Sequence, residues 1–169
     1  IPEGLLLAAI SPRKDPRDVL VNRWNLGFSD LPFGARLGTS SPRRTAQLKA
    51  RRPDMRVVPI RGNVGTRLDK VTGNEYDGVV LAAAGVERLG RQREISEYLS
   101  PDWCTPDVGQ GALAIEARSG DTALLEVLQQ VHHGPSGIAL AAERAFLATM
   151  GGGCTVPVAA YAQLEDRKL

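Results

Sequence analysis

Aromatic side chains are scarce in this chain, at 5% of 169 residues, and the basic stretch 41–70 is short of them. That argues against a surface on which nucleic-acid bases stack. Cysteine is limited to Cys104 and Cys154, too few for a disulfide framework. No metal-ligand spacing occurs, and His132 and His133 read as partners of a helix C-terminal dipole. A Gly-x-x-x-x-Gly-Lys-Ser/Thr loop is missing, which excludes a P-loop. No apolar run approaches the length of a membrane span, and no basic segment leads into an apolar stretch at the start. The expectation is a soluble cytoplasmic protein, monomeric, with no membrane, nucleic-acid or metal partner. Ile1-Pro2-Glu3-Gly4 carries no initiator Met, and 161–169 read as a strand entering a turn, so both ends read as cuts through a longer protein.

Hydrophobic residues make 43% of the chain and charged residues 24%, ordinary values for a globular protein. The net charge of +2 conceals segregation. Residues 41–70 carry nine basic side chains against Asp54 and Asp69, a balance of +7 that leaves −5 for the remainder. A solvated helix face accounts for Lys49, Arg51 and Arg52. The other arginines fall at element ends.

Apolar patterning gives a strand over 5–10. Residues 11–34, with Pro12, Pro16 and Pro32, read as loop or hinge with one short helix near 16–21. A strand over 35–39 then meets Pro42 as first helical residue with Ser41 as N-cap, and Pro53 stops that helix. A strand over 55–60 carries Pro59 and so belongs at an edge. Asn63 caps a helix whose Val64, Leu68 and Val71 share a face. A buried-type strand over 78–82, a short helix over 83–89, a strand over 112–117 and helices over 122–131 and 138–149 complete the pattern. Alternation of this kind predicts an α/β fold around a mostly parallel sheet.

Three strand-to-helix junctions carry chemistry: Thr39-Ser40-Ser41-Pro42-Arg43-Arg44, Arg61-Gly62-Asn63-Val64-Gly65-Thr66-Arg67, and Ala82-Ala83-Ala84-Gly85-Val86-Glu87-Arg88. Ligands of open α/β sheets bind beyond the carboxyl ends of strands, helix N-termini favour anions, and guanidinium groups match carboxylate or phosphate. Five arginines around one cleft imply a ligand with several negative charges. The competing reading pairs these arginines with Glu75, Asp77 and Glu87 inside the protein. Gln110, between two glycines, reads as a hinge residue contacting ligand or as a simple turn. Gly151-Gly152-Gly153-Cys154 presents a thiol stripped of neighbouring side chains, which suits a covalent attachment point or a nucleophile, although an unpaired cysteine is commonly a small buried hydrophobe.

Taken together and in order, Gly38-Thr39-Ser40-Ser41-Pro42-Arg43-Arg44, Arg61 to Arg67, Leu81-Ala82-Ala83-Ala84-Gly85 with Arg88, Val108-Gly109-Gln110-Gly111-Ala112, Ala142-Glu143-Arg144-Ala145-Phe146 and Gly152-Gly153-Cys154 resemble the porphobilinogen deaminase (hydroxymethylbilane synthase) family nearly end to end. The resemblance implies periplasmic-binding-protein-like domains facing each other across a cleft, and a small α+β domain bearing the cofactor cysteine. It divides the chain into 1–16 (end of a first domain and hinge), 17–105 (a complete second, carboxylate-binding domain), 106–133 (hinge and return) and 134–169 (start of the third domain). It implies a transferase that adds four porphobilinogen units, with loss of ammonia, to a dipyrromethane cofactor joined to Cys154. Cofactor contacts would come from Thr39, Ser41, Arg43, Arg44, Arg61, Arg67, Ala82 and Arg88, and substrate contacts from Arg61, Arg67, Arg88 and Gln110. The aspartate that stabilises the cation formed as ammonia leaves would lie upstream of Ile1, so no catalytic residue is expected in these 169 residues and this chain alone should not turn over. The rival readings are a non-catalytic anion-binding module of periplasmic-binding type and a nucleic-acid binder.

Overall fold

The computed structural model describes residues 1–151, 157–165 and 168–169. In chain order its elements are β1 (Leu5–Ile10), β2 (Asp18–Asn22), β3 (Arg36–Gly38), α1 (Pro42–Arg51), β4 (Arg56–Val58), α2 (Val64–Thr72), β5 (Gly78–Ala82), α3 (Ala83–Arg88), β6 (Glu97–Tyr98), β7 (Ala114–Arg118), α4 (Thr122–Gln129) and α5 (Gly134–Thr149). Five strands form one sheet in the order β4-β3-β5-β2-β6. β3 pairs parallel with both β4 and β5, whereas β2 pairs antiparallel with β5 and β6. Four strands therefore point one way and only β2 is reversed, an α/β sheet of the mostly parallel kind.

Both faces of this sheet are covered. Leu20, Leu37 and Val80 pack with Leu48 of α1, Phe28, Met55, Leu99 and Cys104 on one side. Val19, Val21, Val79 and Leu81 pack with Leu68 and Val71 of α2 and Val86 of α3 on the other. Alternate side chains of β2 and β5 thus enter opposite cores, which is why each central strand is an uninterrupted apolar run. The predicted caps form. Ser41 accepts from the Arg44 amide at 3.4 Å, and Asn63 accepts from the Thr66 amide at 2.9 Å. Pro59 follows β4, which pairs only with β3 and is an edge, as expected.

Four expectations are corrected. The stretch read as hinge and short helix contains β2, all five of whose residues are buried; Pro16 lies two residues before its start, a turn from Asn22 to Asn25 ends it, and helices later in sequence cover it. His132 and His133 do not cap the end of α4. His133 is the N-cap of α5, accepting from the Ser136 amide at 3.3 Å, and His132 Nδ1 accepts from the Ile10 amide at 3.2 Å. Among the described residues of 161–169 there is no strand, only an isolated bridge between Glu165 and Lys168. Arg52 also departs from a solvated face: it binds Asp54 at 2.7 Å and donates to the carbonyls of Ser29 and Leu31.

β1 and β7 form a separate antiparallel pair, joined to the larger sheet by two adjacent crossing segments. Ser11 N donates to Leu113 O and Lys14 N to Gly111 O, each at 2.9 Å. The approach is close enough that a Cβ on Gly111 (φ +84°) would lie 2.6 Å from the Lys14 carbonyl, and one on Gly109 (φ +73°) 2.8 Å from Leu140. Both positions demand glycine for conformation and for space.

Candidate anion-binding site

Because β3, β4 and β5 are parallel, the starts of α1, α2 and α3 lie at one edge of the sheet. The reversal of β2 brings its first residue to that same edge, with Asp18 opposite Ala82 in register. Ser40 ties the first two junctions together, its hydroxyl donating to Ile60 O at 2.7 Å and accepting from Ile60 N at 2.9 Å, which places Arg61 next to the α1 start. Gly85 of α3 packs on Val64 of α2; a Cβ there would sit 3.2 Å from a Val64 methyl.

At the centre is Asp18, wholly inaccessible to solvent. Its Oδ2 accepts from Arg43 Nη1 at 2.7 Å and its Oδ1 from Arg44 Nε and Nη2 at 3.0 and 2.8 Å. Gln110 Nε2 donates to the same Oδ1 at 2.8 Å and to Pro16 O at 2.6 Å, while its Oε1 accepts from Arg44 at 3.2 Å and Arg43 at 3.5 Å. The Cys104 thiol lies 3.5 Å from Oδ2. Burial disfavours the Asp18 carboxylate, yet Arg44 and Arg43 outweigh it and hold its pKa below the ordinary range. Cys104 moves the other way: burial, then the Asp18 charge, pushes its thiol up to about 12, so it is a packed residue and not a nucleophile at neutral pH.

The sequence-derived residues divide accordingly. The fold brings Arg43, Arg44 and Gln110 into direct contact through Asp18. Thr39 is buried behind them, its hydroxyl accepting from the Ser41 amide at 3.2 Å, and Ser41 serves as the cap. Ala82, half-buried, ends β5. Arg61 and Arg88 are exposed, and Arg67 is half-buried with Nε donating to Gly62 O at 2.8 Å. None of these three forms an ion pair among the described residues. Arg88 lines a cleft of about 520 Å³ with Lys14, Gly85, Gly111 and Leu113, between α3 and the crossing segments. Cys154 lies outside the described residues. Glu75, Asp77 and Glu87 engage Lys70, Arg23 with Arg36, and Tyr98 respectively; the acid that binds two of the five arginines is Asp18.

A second buried pair joins α5 to this edge. Glu143, fully buried in its side chain, binds Arg13 at 2.6 Å and accepts from the amides of Gly109 at 2.7 Å and Ala162 at 2.8 Å. Arg13 Nε in turn donates to the Gln110 carbonyl at 2.9 Å. Sequence reasoning missed Asp18, Arg13 and Lys14, all within the stretch read as hinge. The available signal was Val19-Leu20-Val21, an apolar run with two β-branched residues directly after Asp18.

The donor set fits a polyacidic ligand. Arg43, Arg44 and Asp18 together leave one buried positive charge, and Arg43 Nε is buried with no acceptor among the described residues. Buried charge of this kind calls for a partner. Three more arginines at the same edge, without an ion pair among the described residues, add further positive charge. Among the described residues, no helix is long and apolar enough to cross a membrane.

Comparison with known proteins bears on the fold and the family. The fold resembles that of a Bacillus subtilis lipoprotein assigned to methionine binding (TM-score 0.52, 14% identity, covering 93% of this chain and 70% of that one) and a YaeC-family lipoprotein of Enterococcus faecalis (TM-score 0.50, 14% identity, 83% and 68%). Among curated proteins, the porphobilinogen deaminases of Syntrophotalea carbinolica (50% identical over 169 residues, 100% of this chain and 54% of that protein) and Alkaliphilus metalliredigens (52% over 168 residues, 99% and 53%) are similar throughout. The chain thus spans about half the length of the curated relatives it matches. Family models of the porphobilinogen deaminase dipyromethane cofactor binding domain and C-terminal domain match residues 1–126 and 138–169. The chain therefore belongs to the porphobilinogen deaminase family.

Proposed function

We propose that the full-length protein is a monomeric cytoplasmic transferase, hydroxymethylbilane synthase, that joins four porphobilinogen units on a cysteine-linked dipyrromethane and releases ammonia and a linear tetrapyrrole. The observation that carries this reading is the arginine edge, with one uncompensated buried positive charge, in a chain of this family. Porphobilinogen bears an acetate and a propionate, so the growing chain accumulates carboxylates. Residues 17–105 form the carboxylate-binding domain, 1–16 and 106–133 the hinge and adjoining first-domain strands, and 134–169 the start of the domain holding Cys154.

In this reading Arg43 and Arg44 hold carboxylate in a dry setting, where fixed donors act most strongly. Arg61, Arg67 and Arg88 hold further carboxylates at the open edge, with Thr39 and Ser41 bracing the first junction and Ala82 leaving room for the ligand. Gln110 belongs to the same site, the hydrogen-bonding positions of its side chain being taken by protein groups. Dipyrromethane on Cys154 supplies the primer to which new units are joined.

Intact mass of the full-length protein tests the proposal. The expected result is an adduct of two porphobilinogen-derived units that disappears in Cys154→Ser. An unmodified thiol in material purified from a porphobilinogen-producing host overturns it in favour of a non-catalytic anion-binding module.

A further inference from the structure

We propose that Asp18 is the positioning residue of the arginine site: it never meets the ligand, yet it aims the guanidinium groups that do. The inference rests on the anion-binding role proposed above. Its starting point is an electrostatic conflict. Arg43 and Arg44 are the second and third residues of α1, where the helix dipole opposes positive charge, and α1 has no acidic residue in its first turn. Two guanidinium groups on adjacent residues also repel each other, and Arg43 is only 4% exposed. Asp18 supplies from β2 the anion that this helix start lacks.

Its geometry separates positioning from ligand contact. Both carboxylate oxygens are occupied, Oδ1 by Arg44 and Gln110 and Oδ2 by Arg43 and the Cys104 thiol. No surface of Asp18 reaches solvent. Arg43 Nη1 is further fixed by Thr105 O at 2.7 Å, so the donor left over on Arg43 is Nε. On Arg44 the remaining nitrogen, Nη1, has only a long contact of 3.4 Å to Val80 O. Asp18 thus holds both guanidinium groups in one orientation and leaves Arg43 Nε and Arg44 Nη1 as the donors without a close acceptor among the described residues. Gln110, bonded to all three, carries the same frame to the crossing segment between the two sheets.

The test uses the full 169-residue chain labelled with ¹⁵N-arginine, titrated with porphobilinogen and, as a generic dicarboxylate, succinate. In the unsubstituted chain the guanidinium signals of Arg43 and Arg44 should be resolved and slow in rotation and exchange, unlike those of Arg61 and Arg88. Asp18→Glu, which keeps the charge but shifts it by one methylene, should leave the backbone spectrum folded, mobilise both guanidinium groups and weaken anion binding tenfold or more. Asp18→Asn should do the same more strongly. Rapidly rotating Arg43 and Arg44 groups in the unsubstituted chain would overturn the proposal even if every variant failed to fold. Unchanged affinity in a folded Asp18→Glu chain would overturn it too, because a merely structural residue leaves the affinity of the folded fraction intact. A missing adduct on Cys154 would defeat the proposed transferase function without altering these guanidinium signals, so the two readings fail separately.

Discussion

Arg43 and Arg44 differ from Arg61, Arg67 and Arg88 in what they do when no ligand is bound. The first two are inside the protein, sharing one carboxylate and one carboxamide; the other three stand at the edge without acidic partners among the described residues. All five follow parallel strands at helix starts or within a first short helix, so sequence context alone places them in one class. The structure separates them into an inner pair on which both folding and recognition depend, and an outer set available for recognition alone. A buried ion pair is weak evidence of net stabilisation, but removing one partner is costly because the other charge is stranded. Exposed arginines carry no such debt.

The sharpest way to break this contrast is Asp18→Ala. It strands two cations and should cost about 3–5 kcal/mol, measured by urea denaturation at neutral pH. The same experiment carried to acid checks the sign. Because the folded-state pKa of Asp18 is lowered, its contribution is complete above about pH 4, where a free carboxyl is already ionised. It is lost as pH falls toward the lowered value. The unsubstituted chain should therefore lose its advantage over Asp18→Ala only below about pH 4.

For the outer set, Arg61→Gln and Arg88→Gln should each weaken porphobilinogen binding tenfold or more, a charge-assisted contact contributing about 1.5–3 kcal/mol. Stability should shift by no more than about 0.5 kcal/mol. Calorimetric titration beside thermal melts reads both quantities, and a large loss of stability in either variant would erase the distinction. The smallest effect is expected at Asn63→Ala. Loss of the side-chain acceptor for the Thr66 amide should cost about 1 kcal/mol and fray the turn between Arg61 and Arg67, seen as faster amide exchange confined to the start of α2.

Local chemistry was legible wherever it was self-contained. Ser41-Pro42 and Asn63 announced helix starts because capping needs only residues three apart, and the run Gly78–Ala82 announced a buried strand by composition. β2 was hidden because Pro12, Pro16 and the five charged residues Arg13, Lys14, Asp15, Arg17 and Asp18 precede a very short apolar run, and because its cover comes from α1, α2 and α3, all later in the chain. His133 was placed at the wrong helix end for a similar reason: a histidine between two helices can cap either one, and Ser136 and Ile10 decide which.

The amino-acid order by itself determined the strand–helix alternation, the caps, and which junctions carry guanidinium groups, because each depends on neighbours within one or two turns of chain. Only the tertiary structure decided that Asp18 would bind two arginines and that the other three would have no ion pair among the described residues. A buried carboxylate must recover the cost of leaving water from strong donors close by, and those donors reach Asp18 only after β2 inserts against the direction of β5.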